Sequence, residues 1–370
     1  MSAAAARRRK QQLAAQKGDP VEIKLKALLD SSDDDEATAY EALQLAQSQV
    51  RKNVNSLKFA EASELAYVSA INLLKKNKAS VSSQLLDLLV DVLIETHTEV
   101  TDTWVERISE LNVSHQKALE SLAAVEKNRL LRVHREFLRK CVSWSSDLGN
   151  TRLGNFRLLE ILGDHCWNVP PKDDEDGEDR YSIYCDAVQS MCLAEKPLKI
   201  AEWLQSLPKA TSEQAKFGHT CPPAERDALL TRAALMFMAM ENLRDANILI
   251  RAAMKDVSDM SQLTQSYMKK DDGLAPTHIV FCCILLSICE KDTRTGPLFS
   301  WAIKTFKREV DAMVKPQTVH SLLTKIGKVY FNIEPPPSMM SMMESMLSGG
   351  GMGGINPAMM QAAMSQMQGR

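Results

Sequence analysis

The segment from Ser80 to Glu95 constrains the fold most, because apolar residues occupy every face of a helix drawn through it. These residues are Leu85, Leu86, Leu88, Leu89, Val90, Val92, Leu93 and Ile94. A helix at the surface of a globular protein shows one apolar stripe, so a helix that is apolar all round must be covered on both sides. The sequence therefore predicts a helix enclosed between other layers of structure.

Apolar residues at helical spacing recur along residues 21–334. Three examples are Val21, Leu25, Leu28 and Leu29; Tyr67, Ala70, Ile71 and Leu74; and Leu130, Val133, Phe137 and Cys141. No run alternates apolar and polar residues for long, so strands are at most a local hairpin. The apolar content comes from residues that suit helices, and aromatic residues make up only 5% of the chain. We therefore expect an all-α fold.

Small residues on the predicted helix faces, such as Ala62, Ala66 and Ala70, suit the close packing of helix pairs. Stacked pairs form an α-solenoid, similar to tetratricopeptide arrays, in which each pair buries its apolar face against its neighbours. No clean 34-residue repeat is visible, so the array is expected to be degenerate.

No pattern in the chain predicts a catalytic, cofactor or metal site. Gly349, Gly351 and Gly354 match a dinucleotide-binding spacing, but no βαβ unit surrounds them. The seven histidines show no metal-ligand spacing with cysteine or glutamate, and His134 and His165 are expected to be structural. With a net charge of −2, no global field would recruit nucleic acid. We expect a protein that is not an enzyme.

Several features predict a cytosolic protein, with the nucleus as an alternative location. The basic start, Arg7 to Lys10, is not followed by an apolar stretch, so a secretory signal is not expected. No segment has the ~18 apolar residues of a membrane span, so direct membrane insertion is not expected. The eight cysteines form no C-x-x-C pair and are expected to be buried thiols in a reducing compartment.

Composition divides the chain into five regions. Residues 1–20 are expected to form a flexible basic arm, and residues 171–180 form an acidic loop. Residues 21–170 and 181–334 are the predicted N-terminal and C-terminal halves of the solenoid. After Pro335-Pro336-Pro337, the Met- and Gly-rich residues 335–370 are expected to be a disordered tail.

Three collinear motifs resemble the Golgi-to-ER-traffic protein four family, which supplies the helical scaffold of tail-anchored-protein targeting. The first runs from Tyr40-Glu41-Ala42-Leu43-Gln44 through Arg51-Lys52 to the Glu61–Tyr67 segment. The second is Trp144-Ser145-Ser146 with Leu153-Gly154 and Trp167, and the third is Ile326-Gly327-Lys328-Val329-Tyr330-Phe331. The sequence departs from the family pattern at Leu43, Asn53, Leu159 and Gln84, with Asp87 the nearest acidic substitute for Gln84.

The resemblance implies a right-handed α-solenoid that bridges two partners. Its N-terminal half would bind the targeting ATPase, and its C-terminal half would bind a ubiquitin-like adaptor and, through it, a tetratricopeptide co-chaperone. The candidate ATPase-binding residues are Tyr40, Glu41, Gln44, Arg51, Lys52 and Lys58. The segment from Arg51 to Lys78 has six basic and two acidic residues, which favours fast, salt-sensitive encounter with an acidic partner.

The candidate adaptor-binding residues lie near the end of the helical region, where a terminal helix pair lacks a neighbour on one face. They are Phe281, Leu285, Trp301, Phe306, Tyr330 and Phe331. Most of the apolar residues in this region are expected to be core.

The tail carries a methionine stripe at helical spacing, formed by Met339, Met342, Met343 and Met346. Flexible methionine side chains suit varied apolar partners, so these residues are candidates for client contact. Two alternative functions remain open from the sequence. One is a chaperone for hydrophobic segments that acts through this tail, and the other is a helical-repeat subunit of a different assembly.

Overall fold

The computed structural model describes residues 20–31, 35–169, 180–207, 224–253, 277–291, 293–313 and 315–334. In these residues it contains α-helices, one 3₁₀ turn at Thr293–Thr295 and no strand. The helices are α1 (Pro20–Asp30), α2 (Glu36–Asn55), α3 (Phe59–Lys75), α4 (Ala79–Glu95), α5 (Asp102–Ala118), α6 (Ala124–Leu148), α7 (Phe156–Asn168), α8 (Arg180–Leu193), α9 (Pro197–Gln205), α10 (Glu225–Ala239), α11 (Leu243–Ala253), α12 (Thr277–Cys289), α13 (Gly296–Thr305), α14 (Lys307–Asp311) and α15 (Pro316–Phe331). The predicted all-α class is confirmed. None of these helices is both long enough and apolar enough to cross a membrane.

Helix α4 is enclosed, as its apolar composition predicted. Leu85, Leu89 and Leu93 have no solvent-exposed surface, and only a narrow strip that includes Gln84 and Asp87 reaches the solvent. Helices α2, α3 and α6 all pack against α4. Burial on several sides explains why this helix lacks the polar face that a surface helix carries.

Helices in the N-terminal part pack against the helix two positions along the chain, and several of them also pack against the next helix. Helix α3 contacts α5, α4 contacts α6, and α5 contacts α7. This pattern places α1, α3, α5 and α7 in one layer, with α2, α4 and α6 in a second layer. Two layers of antiparallel neighbours fit a solenoid of stacked helix pairs. The right-handed sense of the superhelix remains a prediction.

Three consecutive helices end in the same way, at a spacing of twenty residues. Leu57, Asn77 and His97 follow α2, α3 and α4, and each has a positive φ of 49–58°. The next residue donates its N–H to a carbonyl five residues earlier; Lys78, for example, donates to Leu73 at 3.0 Å. This is the Schellman ending, in which a left-handed residue satisfies carbonyls at the end of the helix. The repeat is carried by backbone conformation, so the residue types at these positions do not show it.

The loop between α6 and α7 explains the tryptophan-serine and leucine-glycine motifs. The Trp144 indole donates to the carbonyl of Thr98 at 3.0 Å, which ties α6 to the loop between α4 and α5. The Ser145 hydroxyl accepts the N–H of Asn155 at 2.9 Å and donates to the carbonyl of Val142 at 2.8 Å. Gly154 lies against this hydroxyl with a φ of 93°, which favours glycine. These motif residues therefore hold the fold together.

Two buried apolar clusters meet in α8. Ile183 and Ala187 belong to the N-terminal cluster, whereas Val188 and Met191 belong to the C-terminal one. Trp167 of α7 and Trp203 of α9 pack against both clusters, with their rings stacked 4.7 Å apart. The two parts of the chain are thus joined through a shared helix and an aromatic stack.

The C-terminal part is built around α10, which is buried on nearly all sides. Helices α8, α9, α11, α12 and α15 all pack against it. Gly327 of α15 lies against the Phe299 ring, and a Cβ atom at this position would come within 3.0 Å of that ring. The isoleucine-glycine motif therefore marks a close approach between α15 and α13.

Candidate partner-binding faces

The predicted ATPase-binding residues of α2 lie on one exposed face. Tyr40, Gln44 and Arg51 follow one another at helical spacing, and all three are exposed, as are Glu41 and Lys52. The face contains a shallow depression of about 420 Å³. It is lined by polar side chains: Gln44, Gln47, Ser48, Arg51, Lys52, Asn55 and Ser56. We call this surface the α2 face. Its polar lining suits a hydrated contact with a charged partner surface more than an apolar ligand.

The basic residues between Arg51 and Lys78 do not form a single surface. Lys58 precedes α3 and pairs with Glu61 at 2.8 Å. Lys76 donates to the carbonyls of Leu28 and Ser31, at 3.0 and 2.7 Å, and so caps the end of α1. Lys76 therefore stabilises the fold. On α2, the predicted basic surface consists of Arg51 and Lys52.

The neighbouring helix α4 adds carboxylates that already have partners. Asp87 and Asp91 bind Lys140 of α6, at 2.6 and 3.0 Å. Gln84, where an acidic residue was expected, is exposed one turn before Asp87. The acidic character of this surface is therefore reduced by an ion pair across two helices.

The predicted adaptor-binding residues separate into a buried and an exposed group. Phe281, Leu285 and Phe306 are at most 1% exposed, and Phe331 packs on Phe299 with ring centroids 4.9 Å apart. A partner cannot contact these side chains while the helices stay packed. For them the sequence correctly indicated apolar character, but the structure places them in the core.

Trp301 is the exposed member of the predicted adaptor site. Its side chain on α13 is 50% exposed, and Leu298, one turn before it, is 51% exposed. Tyr330 is partly buried against the C-terminal cluster. Tryptophan is enriched among the residues that contribute strongly to binding in interfaces. We call Leu298 and Trp301 the α13 face.

Some predicted residues lie outside the part of the chain that the structure describes. They are Met339, Met342, Met343 and Met346 of the tail. The acidic segment from Lys172 to Asp179 and the basic residues Arg7 to Lys10 also lie outside it.

Three buried histidines form a cluster that the sequence did not indicate. The His115 and His134 rings stack 3.9 Å apart, and His165 meets His134 edge-on at 5.2 Å. His134 is hydrogen-bonded to the side-chain oxygen of Asn112 at 2.9 Å, and His165 donates to the carbonyl of Leu131 at 2.8 Å. These contacts agree with the structural role predicted for His134 and His165. No sequence spacing links His115 to His134, because the two residues are nineteen positions apart on different helices.

Burial keeps these rings neutral. It lowers the pKa of His115 to about 3 and, together with the nearby Arg135, the pKa of His165 to about 4. The pKa of His134 is also far below its ordinary value. Among the described residues, no group of three histidine, cysteine or acidic side chains could hold a metal ion.

A second surface without a sequence signal joins α3 and α5. The Arg107 guanidinium lies 4.8 Å from both the Tyr67 and Trp104 ring centroids and pairs with Glu64 at 2.8 Å. The Tyr67 hydroxyl donates to Glu110 at 2.6 Å. Burial and this carboxylate raise the pKa of Tyr67 to about 12. The residues are 37–46 positions apart in the chain, so only the packing of α3 on α5 brings them together.

Comparison with known proteins links most of the helical region to one family. The model of the family described as Golgi to ER traffic protein 4 matches residues 56–349. Protein GET4 of Arabidopsis thaliana is 24% identical over 317 residues, which cover 81% of this chain and 87% of that relative. The crystal structure of C. therm. Get4 matches with a TM-score of 0.55 and 17% identity, over 91% of this chain and 99% of that one. At that identity the structural match establishes the fold alone. The family match begins after Arg51 and Lys52, so most of the α2 face lies before it.

Proposed function

Because the chain belongs to the Golgi to ER traffic protein 4 family, we propose that it is a non-enzymatic scaffold in the targeting of tail-anchored membrane proteins to the ER. In this role it bridges the targeting ATPase and a ubiquitin-like adaptor, which brings a tetratricopeptide co-chaperone loaded with client. The proposed location of this work is the cytosol.

One observation carries the proposal beyond family membership: two exposed faces of different chemistry lie on two different core clusters. The α2 face is polar and basic and belongs to a helix of the N-terminal cluster. The α13 face is apolar and belongs to a helix of the C-terminal cluster. Two partners that use these faces need not compete for the same residues.

A scaffold of this kind works by position. Two partners held on one molecule meet at an effective concentration set by the geometry of the scaffold, which reaches the millimolar range for short connections. Handover of a client from the co-chaperone to the ATPase would then not depend on a chance encounter. No bond is made or broken by this chain in the proposed mechanism.

The α2 face supports binding of an acidic surface of the ATPase. Arg51 and Lys52 are neighbours on its exposed side, and both can approach carboxylates without unfolding the helix. Charged residues at the rim of an interface act mainly on the association rate and on its salt dependence. Tyr40 and Gln44 lie along the same face and would add contact area.

The α13 face supports binding of an apolar segment of the adaptor. Burial of Trp301 and Leu298 by a partner would remove apolar surface from water. Because each side chain is already about half buried, the gain for each is about half of the roughly 1.5–3 kcal/mol that full burial contributes. Lys304, one turn beyond Trp301 on the same helix, is exposed and provides a charged edge to this patch.

The direct experiment measures association of the ATPase with immobilised full-length chain. The variant R51E/K52E reverses the charge of the α2 face, and K325E/K328E makes the same net change on exposed lysines of α15. We expect R51E/K52E to slow association by about tenfold at low salt and to flatten its salt dependence. K325E/K328E should bind the ATPase as the parent chain does. Equal effects of the two variants would contradict the proposed face.

A further inference from the structure

Two exposed cations follow the α13 face along the chain. Lys304 comes three residues after Trp301, and Arg308 comes four residues after Lys304. Phe306, which lies between α13 and α14, donates its N–H to the carbonyl four residues earlier and accepts the N–H four residues later, both at 3.0 Å. The helical pattern thus persists on both sides of this junction, and residues three or four positions apart lie on one side of a helix. The apolar α13 face is therefore bordered by two positive charges.

Lys304 and Arg308 have no ion-pair partner among the residues that the structure describes. Several other cations of the chain are engaged: Lys140 binds two carboxylates of α4, and Arg107 binds Glu64. An anionic group that approaches Lys304 and Arg308 displaces no carboxylate of this chain. A pair formed with these two side chains is therefore not offset by the loss of an existing pair.

The indole N–H of Trp301 also has no acceptor among the described residues. A partner that buries the ring must supply an acceptor, because a buried donor without one costs free energy. An ionised carboxylate accepts hydrogen bonds, and it also carries the charge that Lys304 and Arg308 attract. The surface around Trp301 therefore fits a partner that combines apolar side chains with carboxylates.

The opposite end of the α13 face carries a carboxylate of its own. A Cβ atom at Gly327 of α15 would lie 3.0 Å from the Phe299 ring and 3.7 Å from the Cβ atom of Ile333. The end of α15 therefore lies beside the start of α13, and Ile333, which is 36% exposed, adds apolar surface there. Glu334, the next residue, is exposed. Charge thus changes from negative beside the start of α13 to positive on α14, which favours one orientation of a charged partner segment.

We propose that the α13 face binds a segment of the adaptor that is both apolar and acidic. The apolar side chains of this segment pack on Leu298 and Trp301, and its carboxylates pair with Lys304 and Arg308. With a rise of 1.5 Å per residue, these cations lie about 4.5 and 10 Å beyond Trp301 along the helix. The carboxylates of the bound segment are therefore expected one and two helical turns from its apolar residues. The inference rests on the proposed function, because it names the chemistry of the adaptor segment at that site.

Calorimetry of adaptor binding tests the charge contact. K304E/R308E reverses both cations, and K75E/K117E makes the same change in net charge on exposed lysines of α3 and α5. At low salt we expect K304E/R308E to raise the dissociation constant at least about tenfold and K75E/K117E to leave it unchanged. The effect should shrink at 1 M salt, where the Debye length is about 3 Å. Circular dichroism checks that both variants keep the helical fold.

The outcomes separate this inference from the proposed function. Parental affinity of K304E/R308E together with weak binding by W301A would overturn the acidic partner segment and leave the adaptor site in place. Absence of adaptor binding to the parent chain would contradict the proposed function.

A charge swap excludes an indirect effect of the substitutions on the fold. Hydrogen exchange identifies the adaptor segment that the parent chain protects, and its two carboxylates nearest the protected apolar residues are replaced by lysine. This adaptor variant should bind K304E/R308E at least about fivefold more tightly than it binds the parent chain. No gain from the swap, or a protected segment without carboxylates, would overturn the inference.

A designed peptide tests the chemistry of the α13 face without the adaptor. The probe is a labelled, alanine-based helical peptide with two leucines and, one and two turns beyond them, two glutamates. The control peptide has lysines in place of the glutamates. Fluorescence anisotropy should show at least about fivefold tighter binding of the glutamate peptide to the parent chain, and no such preference in K304E/R308E. Equal affinities of the two peptides for the parent chain would overturn the inference, as would binding of phosphatidylserine vesicles but of neither peptide.

Discussion

The imidazole rings of His115 and His134 lie parallel, with centroids 3.9 Å apart and planes within 7°. His165 completes a buried group contributed by α5, α6 and α7. Protonation of any one ring would place a charge beside two other rings and near Arg135, in a site without water access. The junction of these three helices therefore depends on neutral histidines.

Stability should fall with decreasing pH below the ordinary histidine pKa of about 6.5. The unfolded chain binds protons in this range, whereas folded His165 and His115 do so only near their pKa values of about 4 and about 3. The free energy of unfolding therefore decreases as pH falls from about 6.5 towards 3, by up to ~1.4 kcal/mol per pH unit for each histidine. Urea unfolding at several pH values measures this slope.

The variant H115F should reduce that slope by the contribution of one proton. Neither ring nitrogen of His115 has a hydrogen-bond partner in the described residues, so phenylalanine loses no hydrogen bond and keeps the stack. The control H320Q changes a histidine whose side chain is 44% exposed and should leave the slope as in the parent chain. An unchanged slope in H115F would show that His115 does not control the acid sensitivity.

Replacement of Leu57 by glycine should stabilise the protein. Leu57 has a φ of 58° and is 76% exposed, so its side chain strains the turn and packs on little. Glycine adopts this conformation without the cost of about 1 kcal/mol that other residues bear. We expect L57G to raise the free energy of unfolding by about 0.5–1 kcal/mol in urea titrations. L57A keeps the strain, and an equal gain in L57A would contradict this explanation.

Truncation of Phe306 should affect stability, whereas truncation of Trp301 should affect adaptor binding. Phe306 is 1% exposed and packs on Phe281, so F306A should lower stability by about 3–5 kcal/mol. W301A should change the melting temperature little and should weaken binding of the adaptor, measured by calorimetry. Adaptor binding by W301A at parental affinity would contradict the proposed role of the α13 face.

The apolar pattern of the sequence was sufficient to predict the helical class and the enclosure of α4. The family resemblance drawn from the three motifs is confirmed as well. The division of aromatic residues between core and surface was not predictable. Trp301 lies on α13 and Phe306 directly follows it, and they differ only in whether other helices cover the side on which they lie. The use of Lys76 also depends on long-range packing, because the carbonyls that it caps on α1 are 45 and 48 residues away in the chain. The pairing of Lys58 with Glu61, by contrast, is a local contact between residues three positions apart.

Simultaneous binding of two partners is the property that defines the proposed scaffold. Light scattering coupled to size-exclusion chromatography can weigh the species formed when the full-length chain is mixed with the targeting ATPase and the ubiquitin-like adaptor. We predict one species that contains all three proteins, with ATPase affinity unchanged by saturating adaptor. R51E/K52E should lose only the ATPase from this species, and W301A only the adaptor. Mutual exclusion of the two partners, or a complex that forms equally well without this chain, would contradict the scaffold function.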